Sequence, residues 1–236
     1  LDLGVCLLHL ILADSELELV PRGIASHRVI RWNAHRRGRR PTEILLDSSI
    51  HYPAMRKLPD WTRRGRPDIV HFCLLLALDA PLNREGLLRE YVHTRHDKLI
   101  TLDPATRLPH TFNRFVGLME HLFLTGAAPP DKPLLRLEDA PLADALARIK
   151  PTRTISFSHL GRRKRWKDIY RGISRDDDVC AIVGGFPHGS FISDVEELSD
   201  EIIGVDPEPL HAPTVVTRVI FAYEEALGIM EARQKR

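Results

Sequence analysis

Little in this 236-residue chain could cross-link it. Its three cysteines, Cys6, Cys73 and Cys180, lie far apart, two of them inside apolar runs. They supply neither a disulfide framework nor a zinc-ligand spacing, so a reducing cytoplasm is the expected setting. Long hydrophobic runs are missing too. Residues 1–13 are apolar but interrupted by Asp2 and His9, too short to span a bilayer and without a basic leading segment. They read as the first buried strand, and no membrane partner is expected. There is no repeat of fixed period, no GxGxxG and no phosphate-binding loop. With 43% hydrophobic and 28% charged residues the composition is that of a soluble globular protein, which excludes a wholly disordered chain.

A net charge of +2 says little about partners, but its distribution says more. Residues 27–66 hold eleven Lys/Arg against Glu43, Asp47 and Asp60, a local +8 that leaves −6 for the rest. This implies either a basic face for a polyanion or a solvated arginine loop.

Residues 9–20 read as two extended pieces, the second with period-two alternation (Glu16-Leu17-Glu18-Leu19-Val20), stopped by Pro21, Arg22 and Gly23. Residues 43–46 read as a short buried strand. Asp68 is an N-cap candidate for a buried helix over 69–78. Residues 91–93 and 99–102 predict a hairpin around Arg95-His96-Asp97-Lys98, and 113–124 an amphipathic helix. Residues 126–133 read as a linker or exposed loop. Residues 154–157 are expected to be extended, 162–178 to loop out and 179–183 to be a buried strand. Pro213 opens a helix to about residue 233, with Val216, Val219, Ile220, Tyr223 and Leu227 in one stripe that serves core packing or a dimer contact. Alternating strands and helices predict an α/β fold with a largely parallel sheet flanked by helices.

Three constellations could carry chemistry. Gly184-Gly185-Phe186-Pro187-His188-Gly189 follows a buried strand, where glycines let the backbone approach a ligand and where α/β sheets bind ligands. A plain tight turn accounts for it equally, with His188 a structural hydrogen-bonding group. In Arg66-Pro67-Asp68-Ile69-Val70-His71, Asp68 is a helix cap or, with Arg66, part of a nucleotide grip. Arg107-Leu108-Pro109-His110-Thr111-Phe112-Asn113-Arg114-Phe115 mixes cations with aromatics as looped RNA favours, although Phe112 and Phe115 also suit the core.

Together, and joined by Ala80-Pro81-Leu82-Asn83, Tyr91-Val92-His93-Thr94 and Phe115-Val116-Gly117-Leu118-Met119, these blocks resemble the pseudouridine-N1-specific ribosomal RNA methyltransferases of the SPOUT superfamily. The resemblance covers nearly the whole chain. It implies one methyltransferase domain over 1–236, with family-specific insertions and a deep trefoil knot in the C-terminal part: 27–66 faces RNA, 158–178 is a charged insertion loop, and 179–236 is the cofactor-binding knot region. It also implies S-adenosyl-L-methionine as cofactor, a homodimer, a small-subunit rRNA hairpin loop as substrate, and a role in ribosome biogenesis in which other assembly factors are candidate partners. Carried over by motif, the cofactor contacts are Gly184, Gly189, Val205, Asp206, Pro207, Glu208, Pro209 and Leu210, with Ile155 and Ser156 subject to a shift of a residue. The RNA contacts are Arg66, Arg107, His110 and Arg114, and Asp68 assists catalysis. His110 stands where the family usually has arginine, and 162–178 is longer than the family pattern. Two rivals remain at this level: a non-catalytic RNA-binding assembly factor of the same fold, and a SPOUT enzyme acting on tRNA or a ribose 2′-hydroxyl.

Overall fold

In the computed structural model the described residues are 6–174 and 176–235; the expectation for residues 1–5 lies outside them. The apolar run becomes β1 (Leu8–Ser15), buried along its whole length. Helices cover both faces of the sheet, so both rows of side chains are apolar. Leu8, Leu10 and Leu12 enter the main core, and Ile11 and Ala13 enter a smaller core on the opposite face.

There follow α1 (Arg28–Arg36), α2 (Ser48–Met55), α3 (Pro67–Asp79), α4 (Pro81–Arg84), β2 (Leu88–Thr94), β3 (Lys98–Leu102), α5 (Phe112–Thr125), β4 (Ala127–Ala128), β5 (Leu135–Asp139) and α6 (Leu142–Ile149). The C-terminal part holds β6 (Arg153–Arg163), α7 (Trp166–Ile169), β7 (Val179–Gly184), α8 (Val195–Leu198), β8 (Glu201–Gly204), α9 (Ala212–Leu227) and α10 (Ile229–Gln234). Among the described residues the strands form one sheet in the order β4-β5-β3-β2-β1-β7-β6-β8. The run from β2 to β8 is parallel, and β3, β5 and β4 add an antiparallel edge. The α/β architecture with a mostly parallel sheet is as the sequence predicts.

Four local expectations need correction. Asp68 does not cap α3. Proline suits the first helical position, so the helix opens at Pro67 with Arg66 as its cap. Asp68 then lies in the first turn, with its two oxygens accepting from Nε and Nη2 of Arg66 at 2.8 and 2.7 Å. Residues 126–133 are an exposed loop only at 129–132, since Ala127 and Ala128 pair with Arg136 and Leu135 at the sheet edge. Residues 162–178 loop out only in part. They extend β6 to Arg163, form α7 and bury Tyr170, whose ring meets Tyr223 edge-on at 5.1 Å, and the irregular chain is left to 171–174 and 176–178; a few apolar anchors outweigh many surface charges. The last helix opens at Ala212 and breaks at Gly228, in the left-handed region (φ 63°), before α10. Its stripe is core: Val216, Val219, Ile220 and Tyr223 are buried in the main cluster and Leu227 packs against it.

The basic stretch is folded. Ile30, Ala34, Ile44, Leu46, Ala54 and Met55 make a small separate core beneath α1 and α2. The two helices are joined by Asn33 and His51, whose side chains meet at 2.9 Å. Residues 44–46 pair with 18–20 through Val20 N–H to the Ile44 carbonyl and Leu46 N–H to the Glu18 carbonyl, both 2.9 Å. Four of its arginines are neutralised from outside the stretch: Arg37 by Glu120, Arg63 by Glu16, Arg64 by Glu18 and Arg66 by Asp68.

One buried carboxyl has no partner. Glu90 on β2 is 3% exposed, neither oxygen is hydrogen-bonded, and burial pushes its pKa up to about 8. Between its ordinary value of 4.5 and 8 the folded state keeps a proton that the unfolded chain has released. Stability therefore falls as pH rises through that window and levels off above it. Glu90→Gln is expected to flatten this slope and to gain about 1–3 kcal/mol at pH 8. Urea denaturation of both proteins at pH 5 and pH 8 measures it; equal pH slopes would refute the assignment.

Candidate functional site

Strands β6, β7 and β8 point their carboxyl ends at one cleft, the place where parallel sheets collect ligands. Its walls are Phe157, Ser158 and His159 from the end of the regular pairing of β6, Val183 and Gly184 at the end of β7, residues 186–191 after it, and the segment following β8. Gly184, Gly189, Val205, Asp206, Glu208, Pro209 and Leu210 all line it. Pro207 does not, although its carbonyl accepts a 3.3 Å bond from Arg163. Ile155 and Ser156 also fall short. Both are fully buried, and the Ser156 hydroxyl bonds that of Ser199 at 2.6 Å. The strand runs one or two residues further before it opens, so Phe157 and Ser158 occupy the expected place.

The glycines act differently from the simplest reading. The space over Gly184 is filled, since a Cβ there would come within 2.5 Å of the Phe186 ring. A Cβ on Gly185 would lie 2.0 Å from Ser15 Oγ, so only glycine lets this loop press against the end of β1. Gly189 has φ +91°, a backbone that side-chain-bearing residues avoid. Together they fold the loop back on itself and leave Phe186 and Phe191 to wall the cleft. His188 is structural in the expected sense, with Nε2 at 3.1 Å from the Thr62 carbonyl.

Charged side chains that the motifs did not single out hold this loop. Arg63 donates from Nε to Glu16 at 2.5 Å and from Nη1 to the Ser190 carbonyl at 2.5 Å, and its guanidinium lies 3.9 Å over the Phe186 ring. Glu16 has no solvent exposure and also accepts from Arg95 at 3.0 Å. Asp14, 1% exposed with φ 51°, accepts from the Ile192 and Ser193 amides at 2.6 and 3.0 Å and from the Ser193 hydroxyl at 2.7 Å. The sequence signal for Glu16 and Glu18 is their place in an alternating strand, which suggests a solvated face. Nothing local shows that the facing surface carries Arg63, Arg64 and Arg95.

A second surface adjoins the cleft. The Arg66 amide donates to the Glu16 carbonyl at 3.0 Å, and the Glu16 amide donates to the Gly185 carbonyl at 3.1 Å. Arg66 is thus two backbone hydrogen bonds from the glycine loop. From α3, His71 reaches across to the other arginine segment: its Nε2 lies 2.8 Å from the Pro109 carbonyl and its ring stacks on Phe115 at 4.4 Å. Phe115 is therefore core, and Phe112 packs against the same cluster. Arg107, His110 and Arg114 remain exposed. The structure thus holds a concave, partly apolar cleft and, joined to it through Arg66 and α3, a surface that exposes these cations.

The profile of the EMG1/NEP1 methyltransferase family matches residues 10–224. This chain belongs to that family. It is 46% identical over 223 residues, 94% of this chain and all of the relative, to the ribosomal RNA small subunit methyltransferase Nep1 of Thermococcus kodakarensis. The corresponding Nep1 of Pyrococcus furiosus is 49% identical over 217 residues, covering 92% of this chain and 96% of the relative. Among solved structures, Archaeoglobus fulgidus Nep1 bound to S-adenosylhomocysteine superposes with a TM-score of 0.82 at 37% identity, over 95% of this chain and 99% of that one.

Removing the Asp14 carboxylate should free the 190–194 segment. Asp14→Ala is expected to speed amide exchange at Ile192 and Ser193 at least tenfold and to cost about 2–4 kcal/mol. Hydrogen-exchange mass spectrometry of peptides spanning 186–194 measures this, and unchanged protection would remove Asp14 from its holding role.

Proposed function

We propose that this chain transfers a methyl group from S-adenosyl-L-methionine to small-subunit ribosomal RNA during ribosome biogenesis, and that the acceptor is N1 of a pseudouridine in a hairpin loop. Membership of the EMG1/NEP1 family is the observation that carries the reading. The cleft fits the cofactor: Phe157, Phe186, Leu210 and Val215 offer apolar walls to an adenosine, and Asp206 and Glu208 set carboxylates beside them for cationic groups. Gly184, Gly189, Val205, Asp206, Glu208, Pro209 and Leu210, with Phe157 and Ser158 in place of Ile155 and Ser156, would hold it. The cofactor supplies an electrophilic methyl on a sulfonium, and the chain supplies alignment.

Arg107, His110 and Arg114 would grip RNA phosphates, since none has a side-chain hydrogen bond or ion pair among the described residues. Arg66 would contribute through Nη1, which Asp68 leaves unengaged. Asp68 has both oxygens on Arg66, so its part is to orient that guanidinium more than to remove a proton from the base. Calorimetry and single-turnover methylation test this: Asp68→Asn should keep cofactor affinity and lose at most a few orders of magnitude in rate. Complete inactivity with intact RNA and cofactor binding would make the carboxylate the essential base.

Two architectural features belong to the same reading. We propose a trefoil knot in which 201–204 passes through the excursion at 158–161. Strand β8 pairs with β6 on both sides of it, with Ile203 opposite both Phe157 and Arg162. A Cβ on Gly161 would lie 2.7 Å from the Ile202 and Ile203 backbone. A homodimer is supported by Phe72 and Leu76 on α3 and Phe221 on the adjoining α9, apolar side chains that are 56, 43 and 56% exposed. No helix among the described residues is long and apolar enough to cross a membrane. The three free, buried cysteines suit the cytoplasmic setting that the reading implies.

Methyl incorporation into small-subunit rRNA by the purified protein, followed by mass mapping, tests the activity. One methyl on a pseudouridine is expected. A methyl on tRNA would favour the SPOUT rival, and absence of S-adenosylmethionine binding the non-catalytic one. Arg107→Ala and Arg114→Ala should each weaken rRNA binding about tenfold without changing cofactor affinity.

A further inference from the structure

We infer that the outer face of α1, with the adjoining end of α2, is a second RNA-binding surface that grips a stretch of ribosomal RNA away from the methylated loop. The inference rests on the reading that the chain acts on rRNA and adds the place where the rest of that RNA is held.

Most charges in 27–66 are already engaged within the fold. Each acid there is engaged: Glu43 pairs with Arg40, Asp60 with Arg95, and Asp47 accepts from the Ser49 amide and hydroxyl. Arg37, Arg63 and Arg64 are taken up by glutamates outside the stretch. Arg28, Arg31, Arg36, Arg39, Arg56 and Lys57 form no salt bridge among the described residues. Three of these six cations lie on α1, a helix with no acidic residue, whose buried side is Ile30, Asn33 and Ala34. Spaced three, four and eight residues apart, Arg28, Arg31, Trp32 and Arg36 form one solvent stripe.

Aromatics are exposed within this positive field. Trp32 is 54% exposed, with the Arg36 guanidinium 4.7 Å from its ring centre. Tyr52 on α2 is 45% exposed, lies under Arg56 at 5.3 Å and meets Trp61 edge-on at 5.2 Å. An apolar protein partner would not call for this density of unpaired arginine. Cations that track a phosphate backbone, with aromatic faces for unpaired bases, are what single-stranded RNA recognition needs. Charge complementarity selects RNA as the occupant.

The surface is coupled to the site and separate from it. Arg37, just after α1, is locked to buried Glu120 on α5 by two bonds of 2.5 and 2.7 Å. Glu120 lies six residues along α5 from Arg114, about 9 Å at the helical rise. The α1 stripe therefore extends the arginine rim sideways on a rigid mount.

The experiment measures Kd for a small-subunit rRNA transcript by filter binding over a salt series, with wild type, Trp32→Ala and Arg28→Glu/Arg31→Glu. S-adenosylhomocysteine affinity and circular dichroism serve as controls for folding. Each variant should raise Kd about tenfold, and the arginine pair should reduce the slope of log K against log salt by about two. Combined with Arg114→Ala, the losses should add in log K, as for separate contacts. In methylation assays KM for RNA should rise while kcat at saturating RNA stays unchanged. Unchanged Kd and salt slope would overturn the inference, as would RNA-independent loss of binding to phosphatidylglycerol vesicles. Because binding is read without catalysis, a failure of the methyltransferase reading would appear separately, as wild type that binds rRNA and does not methylate it.

Discussion

A carboxylate without solvent contact, that of Glu16, lies where three parts of the molecule meet. Its backbone continues β1 and bonds both the glycine loop and Arg66. Its side chain takes Arg63 from the basic stretch and Arg95 from the β2–β3 turn. Desolvating such a group is offset only when its partners are well placed, and removing one partner of a buried pair typically costs about 3–5 kcal/mol. Because Arg63 also holds the Ser190 carbonyl and covers Phe186, this single ion cluster sets where the wall of the cleft stands relative to Arg66. Methyl transfer demands alignment above all, so a rigid joint between donor and acceptor sites is the main thing the fold must provide.

The neighbouring pair repeats the arrangement one alternation further along. Glu18 is buried, which by itself would raise its pKa, but bonds from Arg64 and His96 hold it below the ordinary carboxylate range. Two successive glutamates on a strand thus clamp the small helical unit of α1 and α2 to the sheet from inside, and the Arg37–Glu120 pair clamps it from α5. Much of the stretch's positive charge is spent on this attachment. Half of the cations left over lie on one face of α1.

Much was legible before folding. The buried strands, the hairpin at 95–98, the helices over 69–78 and 113–124, and the glycine turn after 179–183 all follow from local patterns that tertiary structure does not override. Motif blocks put seven of the expected positions on the walls of one cleft. The misses have local causes: Pro67 took the helix start that Asp68 seemed to mark, and Tyr170 anchored a segment whose charges suggested a loop. Ile155 and Ser156 lie behind the cleft because a strand's sequence does not mark where its pairing ends and the backbone opens.

The sequence by itself determined the fold class, the family, and the residue types proposed to meet cofactor and RNA, because periodicity and motif spacing are properties of neighbouring residues. Only the tertiary structure decided which charges are free. Arg63 and Arg64 stand beside Arg66 in the chain, and Arg37 stands beside Arg36. Whether an arginine faces solvent or a buried glutamate depends on contacts made by residues 46 to 83 positions away, and no local pattern records them.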